Sequence, residues 1–176
     1  PEEGDPVPTV LDNPKAVQPF EFFINLYSLP KYTEIDPTLI MAFTYPLFFG
    51  MMLGDIGYGI ITLLLFLYIK SKMPSAKAAL NAMIMSSISS IIFGVLFGEV
   101  FGLEEIGHFK LWHILSRSEQ PNELLIISLI IGVFHVNLGL IFGFINELHH
   151  HGLKKAIFAK LSWIFLQADA ALIYLS

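Results

Sequence analysis

The sequence predicts an all-α protein, a polytopic bundle of transmembrane helices. Three observations carry that prediction. The 176-residue chain is 55% hydrophobic, only 14% of it is charged, and its mean hydropathy is +0.66, whereas a water-soluble domain averages about 25% charged residues. Its apolar residues gather in long blocks at 38–69, 78–103, 124–146 and 156–175, the scale of the roughly 20 residues a helix needs to cross a bilayer. Small residues recur at every fourth position within those blocks, which lets helix backbones approach closely in lipid.

The composition also excludes classes of function. A net charge of −5, held mostly in the ends and loops, argues against a nucleic-acid partner, which wants a basic face. With no cysteine there is no disulfide framework and no thiolate metal site. Pro1 to Asp12 is acidic and proline-rich, unlike a signal peptide. No phosphate-binding glycine loop, dinucleotide fingerprint, zinc-protease pair or base-activated serine is present, so no covalent chemistry and no cofactor are expected. Residue 1 is not Met and the last apolar segment stops at Ser176 without a polar flank. The chain is therefore expected to be a fragment of a longer one.

Residues 1–37 read as a juxtamembrane linker. Four prolines lie in residues 1–18, and Pro19 to Pro30 carries Phe20, Phe23, Ile24 and Tyr27 at helical spacing. That short helix suits either the membrane interface or a neighbouring soluble domain. Asp36-Pro37 reads as an N-cap followed by proline at the first helical position. Residues 38–176 read as a partial membrane domain of about four to five segments, near 38–54, 57–70, 78–103, 122–147 and 155–176. The last three blocks fit one crossing each. The first, 32 residues or about 48 Å of helix, is too long for one crossing and rather short for two. Links 70–77 and 147–155 carry lysines without a matching excess of acid, and link 104–123 is acidic. The positive-inside rule places the first two in the cytoplasm and the third outside. If the first block crosses once, the linker lies outside; if it folds back, the linker is cytoplasmic.

The most informative stretch is Gly54-Asp55-Ile56-Gly57-Tyr58-Gly59. A carboxylate at membrane depth is costly unless it finds water or a partner, and Gly54, Gly57 and Gly59 weaken the helix at the same point. Asp55 reads either as the cap of a helix resuming at Ile56 or as a lining group of an aqueous ion path. Glu99 snorkels to the interface or lines an outward cavity. His135 and Asn137, two residues apart, sit on different helix faces and suit interhelical hydrogen bonds better than a metal site, with proton relay a minor reading of His135. His149, His150 and His151 are expected in a solvated loop, not in a metal centre. Asp169 lies two-thirds through the last block and needs a partner. Arg117, the sole arginine, belongs to a loop, and no intramembrane cation is available to pair with Asp55, Glu99 or Asp169. Gly50, Ser90, Gly94, Gly98, Gly102, Gly132, Gly139 and Gly143 are the expected packing positions.

The stretch Phe43-Thr-Tyr-Pro-Leu-Phe-Phe-Gly-Met-Met-Leu-Gly-Asp-Ile-Gly-Tyr-Gly59 resembles the first membrane segment of the a/I subunit of rotary V-type and A-type ATPases. Pro30-Lys-Tyr-Thr-Glu-Ile-Asp-Pro37 is similar to the lead-in of the prokaryotic subunit I. Ile92-Phe-Gly-Val-Leu-Phe-Gly-Glu-Val-Phe-Gly102 and Leu129-Ile-Ile-Gly-Val-Phe-His-Val-Asn-Leu-Gly139 are similar to its next two segments. The resemblance covers residues ~28–176. It implies a stator: eight membrane helices beside a rotating ring of c/K subunits, a cytosolic domain on the peripheral stalks, and two half-channels carrying protons or sodium ions. It further implies that the first block folds back. Asp55 and Glu99 match family motif positions, but the family's essential arginine lies on a late helix, and Arg117 does not match that context. An independent transporter or channel with a broken helix at the midplane, or a plain membrane scaffold, are the rival readings.

Overall fold

A computed structural model of the chain describes residues 10–27, 29–31 and 33–175; residues 1–9 of the expected linker lie outside the described residues. Its helices are α1 (Glu21–Tyr27), α2 (Thr38–Leu53), α3 (Ile56–Lys72), α4 (Lys77–Phe97), α5 (Pro121–His151), α6 (Leu153–Ala156) and α7 (Ser162–Leu175). A two-stranded hairpin, β1 (Glu105–Ile106) and β2 (Phe109–Lys110), lies between α4 and α5. Two stretches among the described residues are long and apolar enough to cross a membrane: Pro74–Phe97, which is α4 with the turn before it, and Pro121–His151. The chain forms two compact units, residues 1–29 with 36–124, and residues 30–35 with 125–176.

In the first unit α2 and α3 both pack along α4. Tyr45 of α2 meets Met83, and Gly50 meets Ser89 and Phe93, so α2 runs in the same direction as α4. Gly59 of α3 meets Ser90 and Ile91, while Asp55 and Ile56 meet Gly94, so α3 runs the opposite way. The first apolar block is thus a reversed pair of helices of 16 and 17 residues, about 24 and 26 Å long. The reversal turns on Gly54, whose φ of 34° and ψ of 52° are left-handed and whose N–H closes the last turn on the Gly50 carbonyl at 2.7 Å.

Small residues on α4 allow the close approach. Ala82, Ser86, Ser90 and Gly94, four apart, are all buried. A Cβ on Gly94 would lie 2.3 Å from the Ile56 nitrogen, and one on Gly50 2.3 Å from Ser89 Oγ, distances at which backbone has to move. Ser86 and Ser87 return their hydroxyls to the carbonyls of Ala82 and Met83, both at 2.9 Å, so burial leaves neither hydroxyl unpaired. The stripe runs back from Gly94 towards the helix start, and Gly98 and Gly102 have another role. They lie beyond the end of α4 with φ of 66° and 75°, where the chain turns and a side chain is strained.

Residues 10–27 and Asp36 are packed within the same unit. Phe20 is fully buried, and Phe23 stacks on Tyr45 of α2 at 4.4 Å between ring centroids. Asp36 caps α2: its Oδ1 accepts from the Thr38 backbone N–H at 2.9 Å and from the Thr38 hydroxyl, and its Oδ2 accepts from Asn13 at 2.8 Å. Burial opposes ionisation here, yet these donors prevail and hold the Asp36 carboxyl below the usual carboxylate range.

The second unit is built on α5, 31 residues with none buried. A helix this apolar and this exposed needs lipid or other helices around it. The histidine tract departs from the expected loop: α5 continues to His151 and stops at Gly152, with φ of 80°. His151 Nδ1 lies 2.8 Å from Glu147 Oε2, one turn earlier, which extends the helix through the tract. A π-helical turn, Ile157–Leu161, precedes α7. Asn137 donates to Gln167 on α7 at 2.9 Å, an interhelical hydrogen bond of the kind its sequence position suggests.

Candidate functional site

The reversal of the first apolar block is also where charge collects. Gly54 ends α2 and frees Asp55 from helical geometry, so its extended backbone (φ −144°, ψ 129°) aims the carboxylate back over the start of α3. Oδ1 accepts from the Tyr58 N–H at 2.8 Å and Oδ2 from the Gly102 N–H at 2.7 Å. Only 2% of the residue is exposed. One oxygen caps α3 and favours its positive end. The other pins the loop that follows α4. The backbone completes the tie, because the Ile56 N–H donates to the Glu99 carbonyl at 2.9 Å.

Glu99 lies two residues past the end of α4, and the loop supplies it with a cation that no neighbouring residue provides. Arg117 Nη1 stands 3.0 Å from Glu99 Oε2. The same guanidinium donates to the carbonyls of Met51 (2.8 Å), Met52 (3.2 Å) and Leu53 (3.4 Å), and it lies 4.6 Å over the Phe97 ring. Those carbonyls are the unpaired acceptors at the end of α2, where a cation is favoured. Arg117 is thus a cap delivered from 64 residues away in sequence. Its being the sole arginine was the available signal; its target was invisible, because capping by a distant loop leaves no spacing pattern.

Glu104 holds the loop that carries Arg117. It accepts from the Ser116 hydroxyl at 3.0 and 2.9 Å and from the Ser118 N–H at 3.1 Å. Burial acts against its ionised form, but these donors outweigh it and keep the carboxyl below its ordinary value. Gly98 lets this loop close on α4: a Cβ there would lie 2.7 Å from the Trp112 carbonyl oxygen.

The remaining candidates lie elsewhere. Gly57 and Gly59 fall inside α3, past the break at Gly54, and a Cβ on either would meet Phe101 or Ile91 at 2.7 Å. His135 is half-buried on α5, and Asp169 is exposed on α7. Gly132 and Gly139 have nothing within 4 Å among the described residues, and Gly143 faces Lys160. Among the described residues no group of three or more His, Asp or Glu is arranged to hold a metal ion.

Fold and site together define a helical, membrane-compatible protein with a reversed helix pair locked by buried charge. Residues 2–124 match the model of the V-type ATPase 116 kDa subunit family, and the chain belongs to that family. It is similar to proteins named A-type ATP synthase subunit I: 39% identical over 93% of this chain in Archaeoglobus fulgidus, 40% over 99% in Pyrococcus horikoshii, and 34% over 94% in Methanothermobacter thermautotrophicus. The chain spans only 27–28% of the length of these relatives.

Proposed function

We propose that this region is a membrane-embedded, non-catalytic part of the stator of a rotary A-type or V-type ATPase. The observation that carries the proposal is similarity over 93% and 99% of the chain to two relatives named for that subunit. In this reading α2, α3, α4, α5 and the segment through α7 are five membrane segments of a multi-pass protein in the cell membrane. Its partners are the rotor c/K ring, the peripheral-stalk subunits and lipid.

The role is bracing. Asp55 and Glu99 sit on family motif positions, yet both Asp55 oxygens accept backbone N–H groups and Glu99 pairs with Arg117. A carboxylate occupied in this way serves poorly as a proton carrier and well as a rivet. The proposed work of the node is to hold the ends of α2, α3 and α4 rigid beside the helices that conduct protons or sodium ions through the half-channels. Asp169, exposed on α7, is a position from which such helices could be met. The same occupancy weighs against an independent transporter, whose broken helix would offer free polar groups to a substrate.

Affinity purification of the full-length parent tests the assignment. The expected result is recovery with the ring and catalytic subunits of a rotary ATPase. A parent that purifies alone and transports solute in liposomes would overturn it.

A further inference from the structure

The second unit holds a polar pocket that the bracing role does not use. It lies at the C-terminal end of α5, has a volume of about 260 Å³, and is walled by Lys31, Glu34, Glu147, His150, His151 and Lys160. The 30–35 segment is tied there by two contacts: the Ile35 N–H donates to Asn146 at 3.2 Å, and Thr33 Oγ1 lies 3.0 Å from His150 Nε2.

Charge in the pocket is unevenly satisfied. Glu34 Oε2 accepts the Lys31 backbone N–H at 3.0 Å, and Glu147 Oε2 is 2.8 Å from His151 Nδ1. The two ammonium groups have no such engagement, since neither Lys31 nor Lys160 makes an ion pair among the described residues. Lys160 is also placed by the backbone. It sits in the π-helical turn, which inserts a residue and re-aims the side chains around it. Its stem lies against Gly143, where a Cβ would come within 2.9 Å of Lys160 Cε. Lys154 and Lys155 follow α5 on the same link, and α5 is long enough to cross a bilayer.

We propose that this pocket binds a phosphate group, presented by the head of an anionic membrane phospholipid. Two ammonium groups that make no ion pair among the described residues recognise a compact anion. Their position at the end of a bilayer-length helix is where a head group is found, and basic pockets at such helix ends take anionic lipids.

The test uses the full-length parent in detergent and native mass spectrometry to count retained lipid. The probes are a short-chain phosphatidic acid, phosphatidylcholine of the same chain length, and inorganic phosphate. Phosphatidic acid should be retained over phosphatidylcholine. Retention should fall about five-fold in Lys160→Gln and about twenty-five-fold in the Lys31→Gln/Lys160→Gln pair, with Lys160→Arg close to wild type. Gly143→Ala keeps every charge but displaces the Lys160 stem, and should also lower retention. If inorganic phosphate displaces the lipid at equal concentration, the lipid source is overturned and a free-anion site stands. Equal retention of the two lipids, or no change in the double variant, overturns the proposal.

Discussion

Replacing Asp55 with alanine is the sharpest test of how the helix reversal is held. The carboxylate satisfies two N–H donors, Tyr58 at 2.8 Å and Gly102 at 2.7 Å, in a site only 2% exposed. Alanine leaves both donors buried and unpaired, at about 1–3 kcal/mol each. Removing a buried charge relieves part of its own desolvation, so the expected net loss is about 3 kcal/mol. Asparagine keeps one acceptor and turns its NH₂ against the other donor, so it should lose roughly half as much. The assay is unfolding of the full-length parent in mixed micelles with increasing dodecyl sulfate, followed by circular dichroism. The order should be wild type, then Asp55→Asn, then Asp55→Ala. Two variants that unfold within about 0.5 kcal/mol of wild type, the range of ordinary surface substitutions, would refute the capping argument.

The same titration separates two glycines that look alike in sequence. Gly94→Ala meets backbone at 2.3 Å and should destabilise by about 1–3 kcal/mol, whereas Gly132→Ala, in open space among the described residues, should change the isolated protein little. Arg117→Gln leaves Glu99 half-buried without its cation and the α2 carbonyls uncapped, an expected loss of about 3 kcal/mol. Arg117→Lys should recover only part of it, because a single ammonium cannot span Glu99 and the carbonyls together. Glu104 sets a pH limit on the loop. Its folded pKa lies below the ordinary value of 4.5, so its contribution is complete above that value and is lost as the pH falls through the lower folded one. Protease sensitivity of the 98–120 loop should therefore rise only below about pH 4.5, and Glu104→Gln should be sensitive already at neutral pH.

Much of the helix pattern was readable from residue order because it is local. Apolar block length fixes which stretches can be long helices, Asp36-Pro-Thr38 is a start signal, and Gly54-Asp55 is a stop followed by a cap. Short-range chemistry decides all of these, so a linear string contains them. The packing stripe was half legible. Gly94 and Ser90 lie where four-residue spacing puts them, but the same spacing extended the stripe to Gly98 and Gly102, which the chain uses for turns. The polarity of the histidine tract suggests a loop, whereas α5 runs on through it, with His151 Nδ1 2.8 Å from Glu147 Oε2 one turn earlier.

What order along the chain cannot carry is which distant group answers a buried charge. Tertiary structure alone set Gly102 against Asp55 and brought Arg117 across to Glu99 and the end of α2. Such pairings depend on where a loop returns after the helices have packed. The sequence by itself determined that this protein carries bilayer-length apolar blocks and a break in the first of them, because hydrophobic length and glycine freedom are properties of neighbouring residues. Only the packed chain decided that the kink is a reversal riveted by buried charge, because the partners of that charge lie 18 to 66 residues away.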